Sequence, residues 1–329
     1  MQRDWTISVV LLLLLAAVFV ISLLAGRVWL PVGEVWDGLW SKDANLAATI
    51  VTQLRLPRAI LALEVGGALG ISGAVLQGVT RNPLAEPGLL GVSAGAALGA
   101  VVAVYFGFAT HFTSAAPLLG LVGALLASAL TFALGRGGGT ITLVLAGAAV
   151  SALAAAGIAL ALNLAPNPYA AYEIMTWLMG SLADRSWNHV FLVTPFILLG
   201  CAMLLFTARG VDALTLGEAQ AMSLGINIER LYFLAVFGAA LAIGASTAVT
   251  GVVGFIGLVA PHLMRPLLGH QPSRILFPAA LSGALLLLCA DIATRLIHVG
   301  TELKLGVLTS LIGTPFFFWL VVRLRKTAP

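Results

Sequence analysis

Residues 54–99 read LRLPRAILALEVGGALGISGAVLQGVTRNPLAEPGLLGVSAGAALG, and this stretch decides the fold class. Its first half, Pro57–Val79, is an apolar run of the length that a membrane-spanning helix needs, about 20 residues. Along the whole stretch 54–99, glycines recur every three or four residues in two groups. The first group is Gly66, Gly70 and Gly73, and the second is Gly91, Gly95 and Gly99. Such spacing lets helices touch backbone to backbone in a bilayer. The stretch predicts closely packed transmembrane helices, whose glycine seams either line a pathway or serve packing alone.

The composition of the whole chain is that of a membrane protein. Of its 329 residues, 60% are hydrophobic and only 9% are charged, whereas a soluble domain has about 25% charged residues. So few charges cannot solvate the surface of a water-soluble fold of this length. Soluble enzymes, nucleic-acid-binding domains and disordered proteins are thereby excluded. The net charge is only +4 and the basic residues are scattered, so we expect no nucleic-acid partner and interpret them as topology signals.

Further runs with few or no charges bring the predicted number of transmembrane helices to about ten. We expect an uncleaved first helix at Trp5–Gly26, because this run is longer than the apolar region of a signal peptide. Residues 231–264 predict a full helix to about Thr250, a glycine-rich break and a short helix to about Met264. Other spans are expected within 87–135 (two helices), 137–172, 186–208, 276–297 and 305–324. The fold class is therefore all-α and polytopic, with one transmembrane domain over residues 1–329.

The distribution of lysine and arginine predicts that both termini are cytoplasmic, since basic residues concentrate on the cytoplasmic side of a membrane. Three arginines oppose this rule. Arg55 and Arg58 stand at the outer mouth of the second helix, and Arg295 stands at the outer end of the ninth. Because basic residues are disfavoured on the outer side, we expect these three arginines to have a specific role.

The chain lacks the motifs of common catalytic and metal sites. No Walker-type phosphate loop and no His-Glu-x-x-His pattern occurs, so we expect neither catalytic residues nor a metal site, and no cofactor bound by this chain. Ionisable groups within the spans are few: Glu64 and Asp291. Asp291 and Arg295 are spaced i, i+4, as an ion pair on one helix face would be, and local neutralisation of Asp291 is one of the roles that this pair leaves open.

Five blocks of sequence carry a resemblance to a known family. They are NPLAEPGLLGVS, which begins at Asn82, and the segments 177–182, 216–225, 251–265 and 302–319. In this order they closely resemble the signature of the iron-siderophore, haem and cobalamin permease family of bacterial ABC importers (FecCD-like). Its signature residues here are Asn82, Pro83, Glu86, Pro87, Pro261 and His262. The resemblance implies a type II importer permease fold with ten transmembrane helices, in the bacterial inner membrane.

The resemblance also implies partners. Members of this family form homodimers or close heterodimers and pass the substrate along the dimer interface. A separate cytoplasmic ABC ATPase subunit, itself a dimer, binds ATP and Mg, which agrees with the missing phosphate loop. A periplasmic substrate-binding protein delivers the cargo. This chain is therefore expected not to be an enzyme.

Residue roles follow from the same resemblance. The segment 210–228 matches the cytoplasmic coupling helices that dock into the ATPase, and its candidate residues are Leu216, Gly217, Glu218, Ala221, Leu224 and Gly225. Arg55, Arg58 and Arg295 match the arginines that pair with glutamates of the binding protein. The cytoplasmic gate matches Thr140 and Ile141, which follow three glycines, and Gly91 and Gly95 are candidates for the path.

These expectations favour a permease that imports an iron chelate, a siderophore or haem, by alternating access at a dimer interface. Cobalamin is the alternative cargo. An intramembrane enzyme or a receptor would need a titratable cluster at one depth of the membrane, and a secondary transporter would need more intramembrane carboxylates than Glu64 and Asp291.

Overall fold

The computed structural model describes residues 2–26, 28–40, 46–112, 114–299 and 301–327. Within these ranges the chain is helical almost throughout. The helices are α1 (Gln2–Leu24), α2 (Val32–Trp40), α3 (Leu46–Thr49), α4 (Leu56–Thr80), α5 (Val92–Tyr105), α6 (Phe108–His111), α7 (Ala115–Gly135), α8 (Gly139–Asn163), α9 (Pro168–Leu178), α10 (Trp187–Leu205), α11 (Ala208–Leu214), α12 (Glu218–Ser223), α13 (Ile228–Thr250), α14 (Ile256–Leu268), α15 (Pro272–Leu296) and α16 (Leu305–Thr327). A π-helical segment covers Ile50–Arg55 and a 3-10 turn covers Pro87–Leu90.

Eight helical segments of the described chain are long and apolar enough to cross a membrane, and α5 and α14 are shorter apolar helices. The prediction of an all-α polytopic membrane protein is thus confirmed. The only β-structure among the described residues is β1 (His298–Val299), which pairs antiparallel with β2 (Thr301–Glu302).

The helix predicted to begin at Pro57 begins earlier, since α3, the π-helical segment and α4 form one continuous apolar span from Leu46 to Thr80. A proline inside an α-helix clashes with the carbonyl four residues before it. The wider π-helical turns at Ile50–Arg55 lie directly before Leu56 and Pro57, at the place where that clash arises. The helical span therefore continues through Pro57, at which the sequence predicts its start.

Helix α4 forms the centre of the bundle and packs closely on α15. A Cβ atom added at Gly66 would overlap the carbonyl of Gly283, and one at Gly70 would overlap the carbonyl of Ala279. Another at Gly73 would overlap Gly257 in α14. The first glycine seam therefore serves backbone-to-backbone packing, as glycines do in membrane bundles.

The predicted break in the region 231–264 is confirmed, with α13 ending at Thr250 and α14 starting at Ile256. Gly251 ends α13 with a φ of +70°, a positive value that glycine adopts without strain. Helices α2 and α9 had not been predicted. Both are too short to span a membrane, so a search for long apolar runs does not find them.

Candidate functional site

The segment 210–228 forms a helix-turn-helix, in which α11 and α12 are joined by a turn that ends at Gly217. Gly217 has φ of +107°, and Gly225, after α12, has φ of +83°. The side chains of Leu216 and Leu224 are exposed, whereas Ala221 is buried. The two leucines face outward because the buried side of this short pair packs on the bundle through Ala221.

Glu218 points inward and joins α12 to the start of α8. Its Oε1 accepts hydrogen bonds from the backbone N–H of Thr140 at 3.0 Å, from Thr140 Oγ1 at 2.8 Å and from the Tyr232 hydroxyl at 2.9 Å. The two hydroxyl oxygens are themselves 2.7 Å apart. The predicted coupling residue and the predicted gate residue are thus in direct contact, and Tyr232, in α13, is a member of the cluster that sequence reasoning missed.

Glu218 acts as the missing cap of α8. The first N–H groups of a helix have no partner within it, and an anionic group there also meets the positive end of the helix dipole. The residue before α8, Gly138, provides no side-chain cap. Burial by itself raises the pKa of the Glu218 carboxyl, but the hydrogen bonds from Thr140 and Tyr232 and the charge of Arg81 outweigh it. The pKa of Glu218 is therefore below its ordinary value.

A second carboxylate holds α11. Asp212 accepts from the backbone N–H of Ser273 at 2.8 Å and from its hydroxyl at 2.6 Å, and it also accepts from Gln271 at 2.7 Å. These residues start α15. The two short helices are therefore tied to the bundle at two different helix beginnings, α11 to α15 and α12 to α8.

The four residues predicted for the gate and the path have different surroundings. Ile141 is 76% exposed and begins an apolar outer face of α8 that continues through Leu145. Thr140 is buried in the Glu218 cluster. Gly91 and Gly95 do not line an open face: a Cβ at Gly91 would press on Val150 of α8, and one at Gly95 would overlap α7. Packing is the role that the structure gives these two glycines, because each lets two helices touch.

The signature at 82–87 holds the chain between α4 and α5 and reaches the break before α14. Asn82 Oδ1 accepts from the N–H of Leu84 at 2.9 Å, which forms a local turn. Glu86 Oε1 accepts from the N–H of Phe255 at 2.8 Å. Phe255 has φ of +67°, an uncommon conformation for a residue with a side chain. Pro87 begins the 3-10 turn. Glu86 thereby accepts a hydrogen bond from a backbone N–H group in the break between α13 and α14.

Three of the other blocks meet at this same break. The N–H of Ser181 donates to the carbonyl of Thr250 at 2.7 Å, and the N–H groups of Leu305 and Gly306 donate to Gly180 at 3.0 Å and Met179 at 3.1 Å. A mostly apolar cavity of about 620 Å³ lies at this junction. Its lining comes from three segments, around Met179, Val252 and Val307. Blocks distant in sequence are therefore brought together at the helix interruption.

Pro261 and His262 both lie within α14 but face different neighbours. Pro261 lines a cavity of about 310 Å³ together with Pro83, Arg81 and Arg265. The His262 ring meets Phe316 edge to face, with centroids 5.7 Å apart, and its buried Nδ1 has no hydrogen-bond partner within the described part of the chain. No group of three potential metal-binding side chains occurs among the residues that the structure describes.

The three outer arginines are directed into the molecule. Arg55 is only 8% exposed, and its guanidinium donates to the carbonyls of Leu23 and Leu24 at 2.8 Å each and of Val28 at 2.6 Å. These carbonyls belong to the last turn of α1 and the residues after it. Arg55 matches an arginine that pairs with a binding protein, but here it caps the end of α1, because unpaired carbonyls at a helix end attract a cation.

Arg58 and Arg295 share Asp291, which is 1% exposed. Arg58 Nε donates to Asp291 Oδ1 at 2.8 Å, and Arg295 Nε donates to Asp291 Oδ2 at 2.9 Å. The predicted i, i+4 pair of Asp291 with Arg295 is thereby confirmed, and Arg58 is the second cation. Arg295 also donates to the carbonyl of Ser22 at 2.9 Å and to its hydroxyl at 2.8 Å. Asp291 is neutralised locally.

Glu64, the other intramembrane carboxylate, bridges two spans. The hydroxyl of Thr194 in α10 lies 2.9 Å and 3.0 Å from its two carboxyl oxygens. Glu64 and Asp291 therefore have separate surroundings, and they do not form one titratable cluster.

Comparison with known proteins agrees with this architecture. The model of a family described as the FecCD transport family matches residues 13–323. The chain is 40% identical to the hemin transport system permease protein of Yersinia pestis, over 88% of each chain. It is 38% identical to the vitamin B12 import system permease protein of Vibrio cholerae, over 98% of this chain and 96% of that one.

A solved structure is also similar. It is described as an inward-facing conformation of a metal-chelate type ABC transporter, and it matches with a TM-score of 0.85 and 31% sequence identity. The match covers 97% of this chain and 99% of the other.

Proposed function

The chain belongs to the FecCD transport family, and we propose that it is the membrane permease subunit of an ATP-driven importer of an iron chelate, a siderophore or haem. The family match over nearly the whole chain carries this proposal. Transport across the bilayer needs a path that opens alternately to its two sides and no covalent chemistry.

The ATPase is proposed to be a separate cytoplasmic subunit that binds ATP and Mg, with no cofactor held by this chain. Its docking surface is proposed to be the helix pair α11 and α12. The exposed side chains of Leu216, Met222 and Leu224 support this, since apolar side chains grouped on a short polar element are typical of an interface. The chain would then lie in the bacterial inner membrane with both termini in the cytoplasm.

A second copy of the chain is proposed to complete the path. The apolar outer face of α8, with Ile141, Leu145 and Leu153, is exposed. Exposed aromatic side chains also occur on α9, at Tyr169 and Tyr172. A homodimer would bring two such faces together around the substrate. A periplasmic substrate-binding protein would deliver the cargo to the open end of this dimer.

The cargo is proposed to be an iron chelate, with cobalamin as the second candidate. The relative from Yersinia pestis is named for hemin, and the relative from Vibrio cholerae is named for vitamin B12. The cavity at the helix break is mostly apolar, which suits the flat face of a tetrapyrrole and does not distinguish haem from a corrinoid.

Reconstitution tests the proposal. The chain is purified with its ATPase and its binding protein, placed in proteoliposomes, and supplied with ⁵⁵Fe-labelled haemin, a ⁵⁵Fe-labelled siderophore or ⁵⁷Co-labelled cyanocobalamin. ATP-dependent uptake of an iron label is expected. Uptake of the cobalt label alone would make cobalamin the substrate in place of an iron chelate. Uptake of none of the three labels, by a complex that still hydrolyses ATP, would overturn the import function.

A further inference from the structure

We infer that Glu218, Thr140 and Tyr232 form the mechanical link between the ATPase-docking helices and the gate helix α8. This inference rests on the proposed function, and it assigns the three residues as positioning residues of the transport cycle. The three side chains come from α12, α8 and α13, and each contacts the other two at 2.7–2.9 Å.

The link acts on the first turn of α8 directly. Besides the two hydroxyls, Glu218 Oε1 holds the backbone N–H of Thr140 at 3.0 Å, and this residue is the second of the helix. Gly138, in the capping position, has no side chain that could take over. A displacement of α12 therefore has to carry the first turn of α8 with it or leave that turn uncapped.

The chain before α8 is built to follow such a displacement. Gly137 and Gly139 have φ of +77° and +70°, and no atom lies within 4 Å of the position of a Cβ at Gly137. Glycines can change conformation at little steric cost. The turn between α7 and α8 is therefore a hinge, and Glu218 holds the helix that begins at this hinge.

Asp212 and Glu218 each accept three hydrogen bonds, but the helices that they attach differ in burial: α11 buries Gly210, Val211 and Leu214, whereas α12 buries only Ala221. Asp212 holds α11 to α15 through three hydrogen bonds from neighbouring residues of one turn. Helix α12 has only six residues and is mostly exposed, and Glu218 is its attachment to α8. A push from the ATPase is therefore expected to pivot the pair about Asp212 and to move the end that carries Glu218.

Hydroxyl chemistry lets the link change shape without breaking. Thr140 and Tyr232 have one hydroxyl proton each, while their oxygens and Glu218 Oε1 make three close contacts. Both hydroxyls can donate to the carboxylate, or one can donate to the other, which then donates to the carboxylate. Either arrangement keeps the buried groups satisfied.

Three variants test the link: Glu218→Ala, Thr140→Val and Tyr232→Phe. Each has a matched control that removes a similar group outside the cluster. Glu34→Ala removes an exposed glutamate from α2, and Thr52→Val removes a hydroxyl that donates to the carbonyl of Ala48 within its own turn. Tyr105→Phe removes a hydroxyl bonded to Leu164.

The readout is the amount of labelled substrate transported per ATP hydrolysed, in proteoliposomes that contain the ATPase and the binding protein. We expect each cluster variant to lower this ratio about fivefold or more, while the controls and Thr140→Ser, which keeps a hydroxyl, stay near the wild-type ratio. The double variant Glu218→Ala/Tyr232→Phe should lower it no further than Glu218→Ala alone, since both break the same link.

The outcomes separate the link from the proposed function. If the wild type transports and the cluster variants keep its ratio, the link is wrong and the import function stands. If the wild type does not transport any of the labelled probes, the import function fails first. A lower ratio in the cluster variants, whose melting temperature stays within a few degrees of the wild type, supports the link and rules out general unfolding.

Discussion

At one end of the molecule, arginines surround the last turn of α1, and at the other end a glutamate holds the first turn of α8. Helix α4 runs between them: Arg55 and Arg58 lie at its start, and Thr140 Oγ1 lies 3.5 Å from the carbonyl of Val79 near its end. Each cluster matches the dipole of the helix that it caps, with cations at a C-terminus and an anion at an N-terminus. Both sets of charges were expected to face partners, and both face the chain itself.

The two ends differ in redundancy. Arg55 and Arg295 together donate to five backbone carbonyls, and Asp291 has two cationic partners, so no single contact decides the position of α1. The first turn of α8 depends on one carboxyl group, which an exposed six-residue helix carries. The first arrangement fixes a helix, whereas the second lets a helix be moved. The following predictions separate stability from movement.

The largest effect is expected from Asp291→Ala. It removes the buried carboxylate that Arg58 and Arg295 share, and removal of one partner of a buried ion pair costs about 3–5 kcal/mol. Thermal or denaturant unfolding of the purified protein in detergent measures this loss. Glu229→Ala is the control, since its exposed pair with Arg136 should contribute below about 1 kcal/mol. Equal losses in the two variants would contradict the account of a buried cluster.

Arg55→Ala is expected to have the next largest effect. It removes three charged hydrogen bonds to the end of α1, while Arg295 still donates to the same helix end, so we expect a loss near that of one such bond, about 1.5–3 kcal/mol. The same variant distinguishes capping from docking. Capping predicts a lower unfolding free energy, while docking predicts unchanged stability and a loss of ATPase stimulation by the binding protein. The second pattern would restore Arg55 as a docking residue.

Glu218→Ala is expected to change stability less than either outer variant. A lost helix cap costs about 0.5–2 kcal/mol, because the rest of α8 stays packed against α5 and α7. Its effect on transport per ATP should nevertheless exceed that of Arg55→Ala. Both predictions are checked by measuring the unfolding free energy and the transport per ATP on the same preparations of Glu218→Ala and Arg55→Ala. A stability loss larger than that of Asp291→Ala would mean that Glu218 fixes the helix and does not move it.

The smallest effect is a pH dependence. The pKa of Glu218 in the folded protein is below its ordinary value of about 4.3. The carboxylate therefore contributes stability that is fully present above about pH 4.3 and is lost as the pH falls through the folded pKa. The melting-temperature difference between wild type and Glu218→Gln should stay constant from pH 7 to about 5 and shrink only below about 4.3. A difference that shrinks between pH 7 and 5 would indicate a raised pKa.

Long elements of the fold were predictable, and short ones were not. The apolar runs located all the long spans, and the glycine-rich run 251–257 located the break before α14. Helices α2 and α9 escaped because their helicity depends on packing and capping: Asn167 caps α9 through the N–H of Ala170 at 2.9 Å. The start of α4 escaped because the π-helical turns absorb Pro57, and composition gives no sign of such turns.

The candidate residues were found in part. Glu218 and Thr140 were each predicted, but from different blocks and with different roles, and their contact joins residues 78 positions apart. Tyr232 gave no signal, since one tyrosine at the start of an apolar helix is common. Its position near the start of α13, 14 positions after Glu218, is the only feature that places it near Glu218.

The membrane location, the helical class and the approximate spans follow from the order of apolar and charged residues in the chain. The physical reason is that lipid offers no hydrogen bonds, so each apolar run has to satisfy its own backbone as a helix. Tertiary structure alone decided where each rare charge points. Helix ends leave carbonyls and N–H groups unpaired, and the charge that satisfies them can come from any segment that packs nearby. Arg55 and Glu218 therefore acquired their partners only when distant helices met.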